Sequence, residues 1–92
     1  MRFHFISSEN PEAENTLNKF IKKYNQSNIN NSDVLVAIGG DGMLLKALRN
    51  SIKISIPVFG LNKGNVGFLM NKLSIAKLEE RVRNANKVIM HP

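Results

Sequence analysis

An unbroken apolar run, Val34-Leu35-Val36-Ala37-Ile38, stops at Gly39-Gly40-Asp41-Gly42, and an apolar segment carrying Lys46 and Arg49 follows at once. A run with no polar position suits a strand buried on both faces, as in a parallel sheet covered by helices. Nothing else in the chain limits its fold as strongly. The glycines let the backbone turn sharply and approach a ligand closely, because they carry no Cβ. A helix beginning near Gly42 or Met43 aims its free N–H groups and the positive end of its dipole back at the turn. That arrangement makes a phosphate site with one carboxylate, Asp41, inside it. A carboxylate repels phosphate, so its presence calls for chemistry: holding Mg²⁺, or taking the proton of a hydroxyl that attacks phosphorus. The same four residues also suit a plain strand-to-helix turn in which Asp41 caps the helix.

Around this centre the chain alternates strand and helix signals. Arg2 to Ile6 reads as a first strand with Phe3 and Phe5 on one face and His4, a strand residue with no ligand role, on the other. Asn10-Pro11-Glu12 is a helix start: Asn10 caps, Pro11 suits the first helical position, and Glu12 and Glu14 complement the dipole. Ala13, Leu17, Phe20, Ile21 and Tyr24 fall on one helical face, and Lys19, Lys22 and Lys23 form a solvated end. Asn25 to Ser32 is an amide-rich, mobile loop with little to bury. After the glycine turn, Leu44, Leu45, Ala47 and Leu48 give the second helix its buried side, and that helix ends near Asn50-Ser51. Val58 to Leu61 is a further strand, parallel to the central one because a helix lies between them. Asn62 to Gly67 is a second glycine-bearing loop, at the same end of the sheet as the first, where open α/β sheets bind ligands. Ser74 caps a helix from Ile75 to Asn84 with an apolar stripe of Ile75, Leu78 and Val82, and Val88-Ile89-Met90 starts another strand.

A chain of 92 residues makes one small domain. It has no cysteine, which excludes disulfides and cysteine-based metal sites and agrees with a cytoplasmic setting. No run approaches the roughly 18 apolar residues of a membrane span. The charge is lopsided: residues 1–45 hold four Lys/Arg against five Asp/Glu, and residues 46–92 hold nine against two. A basic half that begins just after the glycine turn favours an anionic partner, nucleotide phosphates or nucleic acid.

Taken together, GGDG and the later PVFGLNKGNVGFLMN resemble the N-terminal domain of an ATP–NAD kinase. The resemblance covers nearly the whole chain. Lipid kinases of the diacylglycerol and sphingosine type share the first motif, and phosphofructokinases share it more loosely; the second, Gly-x-Asn-x-Gly-x-x-Gly-Phe-Leu, separates them. The resemblance implies a three-layer α/β domain of the NAD kinase/diacylglycerol kinase-like type over residues 1–92. It implies transfer of the γ-phosphoryl of ATP to the 2′-hydroxyl of the adenosine ribose of NAD, with Mg²⁺ on the phosphates. Asp41 matches the proton acceptor, with Gly39 and Gly40 cradling phosphate. Gly42 and Lys46 match positions that line the NAD site, and Phe68 matches an aromatic position beside the adenine. Leu45, Asn62 and Asn65 are further candidates. Plain alternatives stand beside several of these: Lys46 as an exposed helix lysine, Phe68 as core, and the asparagines as turn-formers. No set of metal ligands is read in the chain itself.

Two departures accompany the resemblance. Met43 stands where the family has threonine, which removes a hydroxyl near the phosphates. A β-rich second domain with an Asn-Glu/Asp pair and a Ser/Gly-rich motif is not in these 92 residues. On this reading the chain is a fragment holding half a site, inactive alone, and a homo-oligomer at full length. The competing classes are a small basic nucleic-acid-binding module, weakened by few aromatics and no recognised motif, and a lipid-kinase-like GGDG domain.

Overall fold

The computed structural model describes residues 1–54, 56–62, 70–72 and 74–84. Its elements in chain order are β1 (Phe3–Ser7), α1 (Pro11–Tyr24), a 3₁₀ turn at Ile29–Asn31, β2 (Val34–Ile38), α2 (Asp41–Ile54), β3 (Val58–Asn62), β4 (Met70–Lys72) and α3 (Leu78–Asn84). The strands form one parallel sheet in the order β1-β2-β3-β4. Every residue of β2 is buried, as an apolar run with no polar position requires of a strand covered on both faces.

Alternation along the strands sorts the core into two layers. On one face Phe3, Phe5, Val34, Val36, Ile38, Phe59 and Leu61 pack with Phe20 of α1 and with Leu78 and Val82 of α3. On the other, Leu35, Ala37 and Val58 pack with Met43, Ala47 and Leu48 of α2. The result is the three-layer parallel α/β architecture expected. Consecutive strands step across the sheet in one direction while α1 and α2 cover opposite faces.

The start of α1 follows its local signals: the Asn10 side-chain oxygen accepts from the Ala13 N–H at 2.9 Å, with Pro11 as the first helical residue. Other boundaries moved. Helix α2 begins one or two residues earlier than expected, at Asp41, and runs past Asn50-Ser51 to Ile54. Asn and Ser are weak formers rather than breakers, and the stop comes with Pro57, which disfavours helical backbone at Ile56. Among its described side chains the buried ones are Met43, Ala47 and Leu48, whereas Leu45 is 58% exposed and Leu44 lies outside the described side chains. Leu45 lies two residues from both Met43 and Ala47, hence across the helix from them. Helix α3 begins at Leu78 rather than Ile75, since Lys77 adopts a positive φ of 52° that breaks the helical run before it. Ile75 still packs on the core from outside the helix. Strand β4 had no clear signal in the sequence, while Val88–Met90 lies outside the described residues.

The amide-rich connection after α1 is tied to the sheet rather than loose. Gln26 accepts from the Phe5 N–H at 2.8 Å and donates to the Phe5 carbonyl at 2.9 Å. Ser27 N–H donates to the Phe3 carbonyl at 3.0 Å, and His4 Nδ1 donates to the Ser27 carbonyl at 2.8 Å. These bonds occupy the outer edge of β1, and they give His4 its structural partner.

Candidate functional site

The register of the sheet builds the site. Ser7 pairs with Ile38, and Ile38 with Leu61, so the next residues in each chain segment, Ser8, Gly39 and Asn62, meet at one level at the carboxyl end of the sheet, Asn62 as the last residue of β3. Two backbone bonds hold them there: Ser8 N–H to the Ile38 carbonyl at 3.1 Å, and Gly39 N–H to the Leu61 carbonyl at 2.9 Å. In parallel α/β sheets this is the end at which ligands bind.

Gly39 has φ +150°, and a Cβ there would lie 2.2 Å from Ser8 Oγ and 3.1 Å from Met43 Cβ. Glycine is required at this point so that the turn can pass between β1 and α2. Gly40 and Gly42 differ: a Cβ on either would meet nothing within 4 Å. Their backbone borders open space, as a phosphate cradle needs. Because α2 opens on Asp41, the position before the helix belongs to Gly40. Asp41 stands in the first turn, where the dipole favours a carboxylate. The Met43 N–H donates to the Gly40 carbonyl at 3.1 Å, closing that turn. Met43 itself is buried against the sheet, so its side chain serves the core.

Beside the turn lies a cleft of about 500 Å³. The segment from the end of β1 into α1 lines it with Ser8, Asn10, Glu12, Ala13 and Thr16. The central and third strands contribute Ile38, Gly39, Gly40, Leu61 and Asn62. Of the residues picked out from the sequence, Gly39, Gly40 and Asn62 thus come together in one cavity. Gly42, Leu45 and Lys46 are exposed on α2, which covers the opposite face of the sheet, and are not among the residues lining it. Phe68 and Asn65 lie outside the described residues. Sequence reasoning missed Ser8, Asn10, Glu12, Ala13 and Thr16. Their signal was available: a Ser-Ser-Glu-Asn stretch following a strand parallel to the central one must emerge at the same end of the sheet.

Among the described residues no group of three or more His, Cys, Asp or Glu is arranged to hold a metal. Mg²⁺ carried on nucleotide phosphates needs only one or two protein carboxylates. Glu12 lines the cleft, and Asp41 opens α2 at the turn. No described helix is long and apolar enough to cross a membrane.

Residues 1–89 match the family described as ATP-NAD kinase N-terminal domain. Curated proteins named NAD kinase are similar along the whole chain. The one from Caulobacter vibrioides is 38% identical over 91 residues, 99% of this chain and 35% of its own length. That from Cereibacter sphaeroides is 40% identical over 91 residues, 99% of this chain and 36% of its own. That from Brucella suis is 36% identical over 92 residues, 100% of this chain and 36% of its own. The chain therefore spans about a third of the length of the curated relatives it matches.

Proposed function

Since the chain belongs to the ATP-NAD kinase family, we propose that residues 1–92 are the N-terminal α/β domain of an enzyme that phosphorylates NAD at the 2′-hydroxyl of its adenosine ribose. ATP is the phosphoryl donor. The observation that carries this is the Gly39-Gly40-Asp41-Gly42 turn at the carboxyl end of β2, open at Gly40 and Gly42 and bordered by a cleft. The open glycine backbone binds phosphate and Asp41 acts on the acceptor. The 2′-oxygen forms a bond to the γ-phosphorus, the bond from that phosphorus to the bridging oxygen breaks, and ADP leaves with the electron pair. Asp41 takes the proton of the hydroxyl. Positioning dominates such a reaction, because the transition state is loose and its charge is spread over the phosphoryl oxygens. Mg²⁺, when bound, neutralises part of that charge. Gly42, Lys46 and Phe68 are assigned to the NAD side of the site, with Leu45, Asn62 and Asn65 as further candidates, and a second, β-rich domain completes it. A cytoplasmic, homo-oligomeric enzyme is the setting this reading implies.

Asp41→Asn tests the assignment in a length of chain that forms NADP. The fold should persist, and turnover should fall by about 10²–10⁴-fold, the usual contribution of a general base. A near-parental kcat would return Asp41 to a purely structural place in the first turn of α2.

A further inference from the structure

We infer that the end of α1 and the residue before α3 form a basic surface that binds the phosphate backbone of a nucleic-acid duplex without regard to its sequence. This goes beyond the phosphotransfer reading and does not rest on it, because the surface lies at the other end of the sheet from the glycine turn. Helix α1 follows β1 from its carboxyl end and runs back along the sheet. Ser27, three residues past the end of α1, donates to the carbonyl of Phe3, where β1 begins. Lys19, Lys22 and Lys23 are exposed near that end of α1, and residues three and four apart share one side of a helix. Tertiary structure adds a fourth cation. Helices α1 and α3 cover the same face of the sheet. The Tyr24 hydroxyl donates to the Ile75 carbonyl and accepts from the Leu78 N–H at 3.2 Å, which brings the exposed Lys77 to the end of α1. The Lys23 ammonium lies over the ring of the same tyrosine, 5.5 Å from its centroid.

Among the described residues, none of these four lysines is in an ion pair, whereas Glu79 of α3 is held by Arg83 at 2.7 Å and faces the N-terminal amine at 3.9 Å. Glu80 is the other acid of α3, and Glu12 and Glu14 stand in the first turn of α1, at its far end. Three lysines outweigh the partial negative charge at the carboxyl end of a helix, about half a unit. The surface is therefore positive, on a chain of net charge +6, and suits a polyanion. A protein partner calls for an apolar, aromatic-rich centre poor in lysine. The large apolar side chains exposed among the described residues are Met1 and Leu45, and Leu45 is on α2, across the sheet. A single strand calls for exposed rings on which its bases stack, and Phe3, Phe5, Phe20 and Tyr24 are buried or half-buried. A duplex needs only cations set against its phosphates.

The test is fluorescence anisotropy of a labelled DNA duplex of mixed sequence, titrated with the chain at several salt concentrations. Binding should fall in the range of about 10⁻⁴–10⁻⁶ M near physiological salt. Its log K should decline against log salt with a slope of about −3 to −4, roughly 0.9 for each of four contacts. Lys19→Gln, Lys22→Gln and Lys23→Gln together should weaken binding about tenfold or more and take about three from the slope. Lys77→Asn, a residue that tolerates positive φ, should take about one from it. Arg49→Gln, exposed on the α2 layer, should change neither, since at about 0.15 M salt charges are screened beyond roughly 8 Å. A duplex of another sequence should bind equally, and saturating ADP should displace neither. Circular dichroism confirms that each variant is folded. Parental affinity and slope in the folded triple variant, or no saturable binding by the parent up to about 10⁻⁴ M, overturns the inference. So does displacement of the duplex by ADP, which would put it at the glycine turn. Tighter binding of poly-L-glutamate with the same dependence on these lysines also overturns it, in favour of an acidic protein partner.

Discussion

Gly39 passes so close to Ser8 that a Cβ on the glycine would sit 2.2 Å from the serine Oγ. The contact joins the end of β1 to the turn that leads into α2, and it sets the wall of the cleft. It also separates the structural glycine of the motif from the open ones.

Gly39→Ala should therefore damage the fold rather than binding alone. A side chain at φ +150° is strained, by about 1–3 kcal/mol, before the clash with Ser8 is added. In a domain of this size each kcal/mol lowers the melting temperature by about 4–8 °C. Thermal unfolding by circular dichroism checks this, and adding Ser8→Ala should recover part of the loss by removing the nearest atom. An unchanged melting temperature in Gly39→Ala would mean that the turn is not held as described.

Gly40→Val should do the reverse. The new side chain meets open space, so the melting temperature should stay near that of the parent. Phosphate would find its place beside the backbone filled. Binding of ADP and of tripolyphosphate should both weaken, about tenfold or more, when measured by titration calorimetry. Retained affinity for both probes in a folded variant would dismiss the phosphate cradle.

Gln26→Ala should expose the edge of β1. The Gln26 side chain accepts from the N–H and donates to the carbonyl of Phe5, and an uncovered strand edge invites pairing with another chain. Losing two hydrogen bonds costs about 1–3 kcal/mol. Light scattering at rising concentration should show more self-association than the parent chain does. Equal scattering would mean that the neighbouring Ser27 contacts suffice to protect the edge.

Tyr24→Phe should loosen α3 and leave the cleft alone. The Tyr24 hydroxyl donates to the Ile75 carbonyl and accepts from the Leu78 N–H at 3.2 Å, so it ties the end of α1 to the start of α3. The ring remains in the Phe3–Phe5–Phe20 cluster after substitution. Amide hydrogen exchange should quicken at Leu78 and along Leu78–Asn84, with α1 and β2 unaffected. Uniform protection across all three elements would contradict this.

Features whose cause is local were legible in the residues. The Val34–Ile38 run announced a strand covered on both faces, Asn10-Pro11 announced a capped helix, and a glycine motif after a strand announced a turn able to approach phosphate. Each depends on neighbours within a few positions: a side-chain period, a cap, a missing Cβ. The family resemblance added the expected chemistry on the same short stretches. What distant segments decide was not legible. Leu45 reads as core until the packing of Met43 and Ala47 against the sheet fixes the rotation of α2 and leaves it exposed. Gln26 reads as loop filler until β1 is known to be the outer strand of the described sheet, with a backbone edge to cover. The difference between Gly39 and Gly40 depends on where Ser8 lies, thirty-one residues earlier than the first of them. The cleft needs Ser8, Gly39 and Asn62 at one level, and only the hydrogen-bonded register of three strands brings them there. Sequence determined which pieces form, because their energetics are short-range; tertiary packing determined which of them face one another, because a parallel sheet joins residues that the chain keeps far apart.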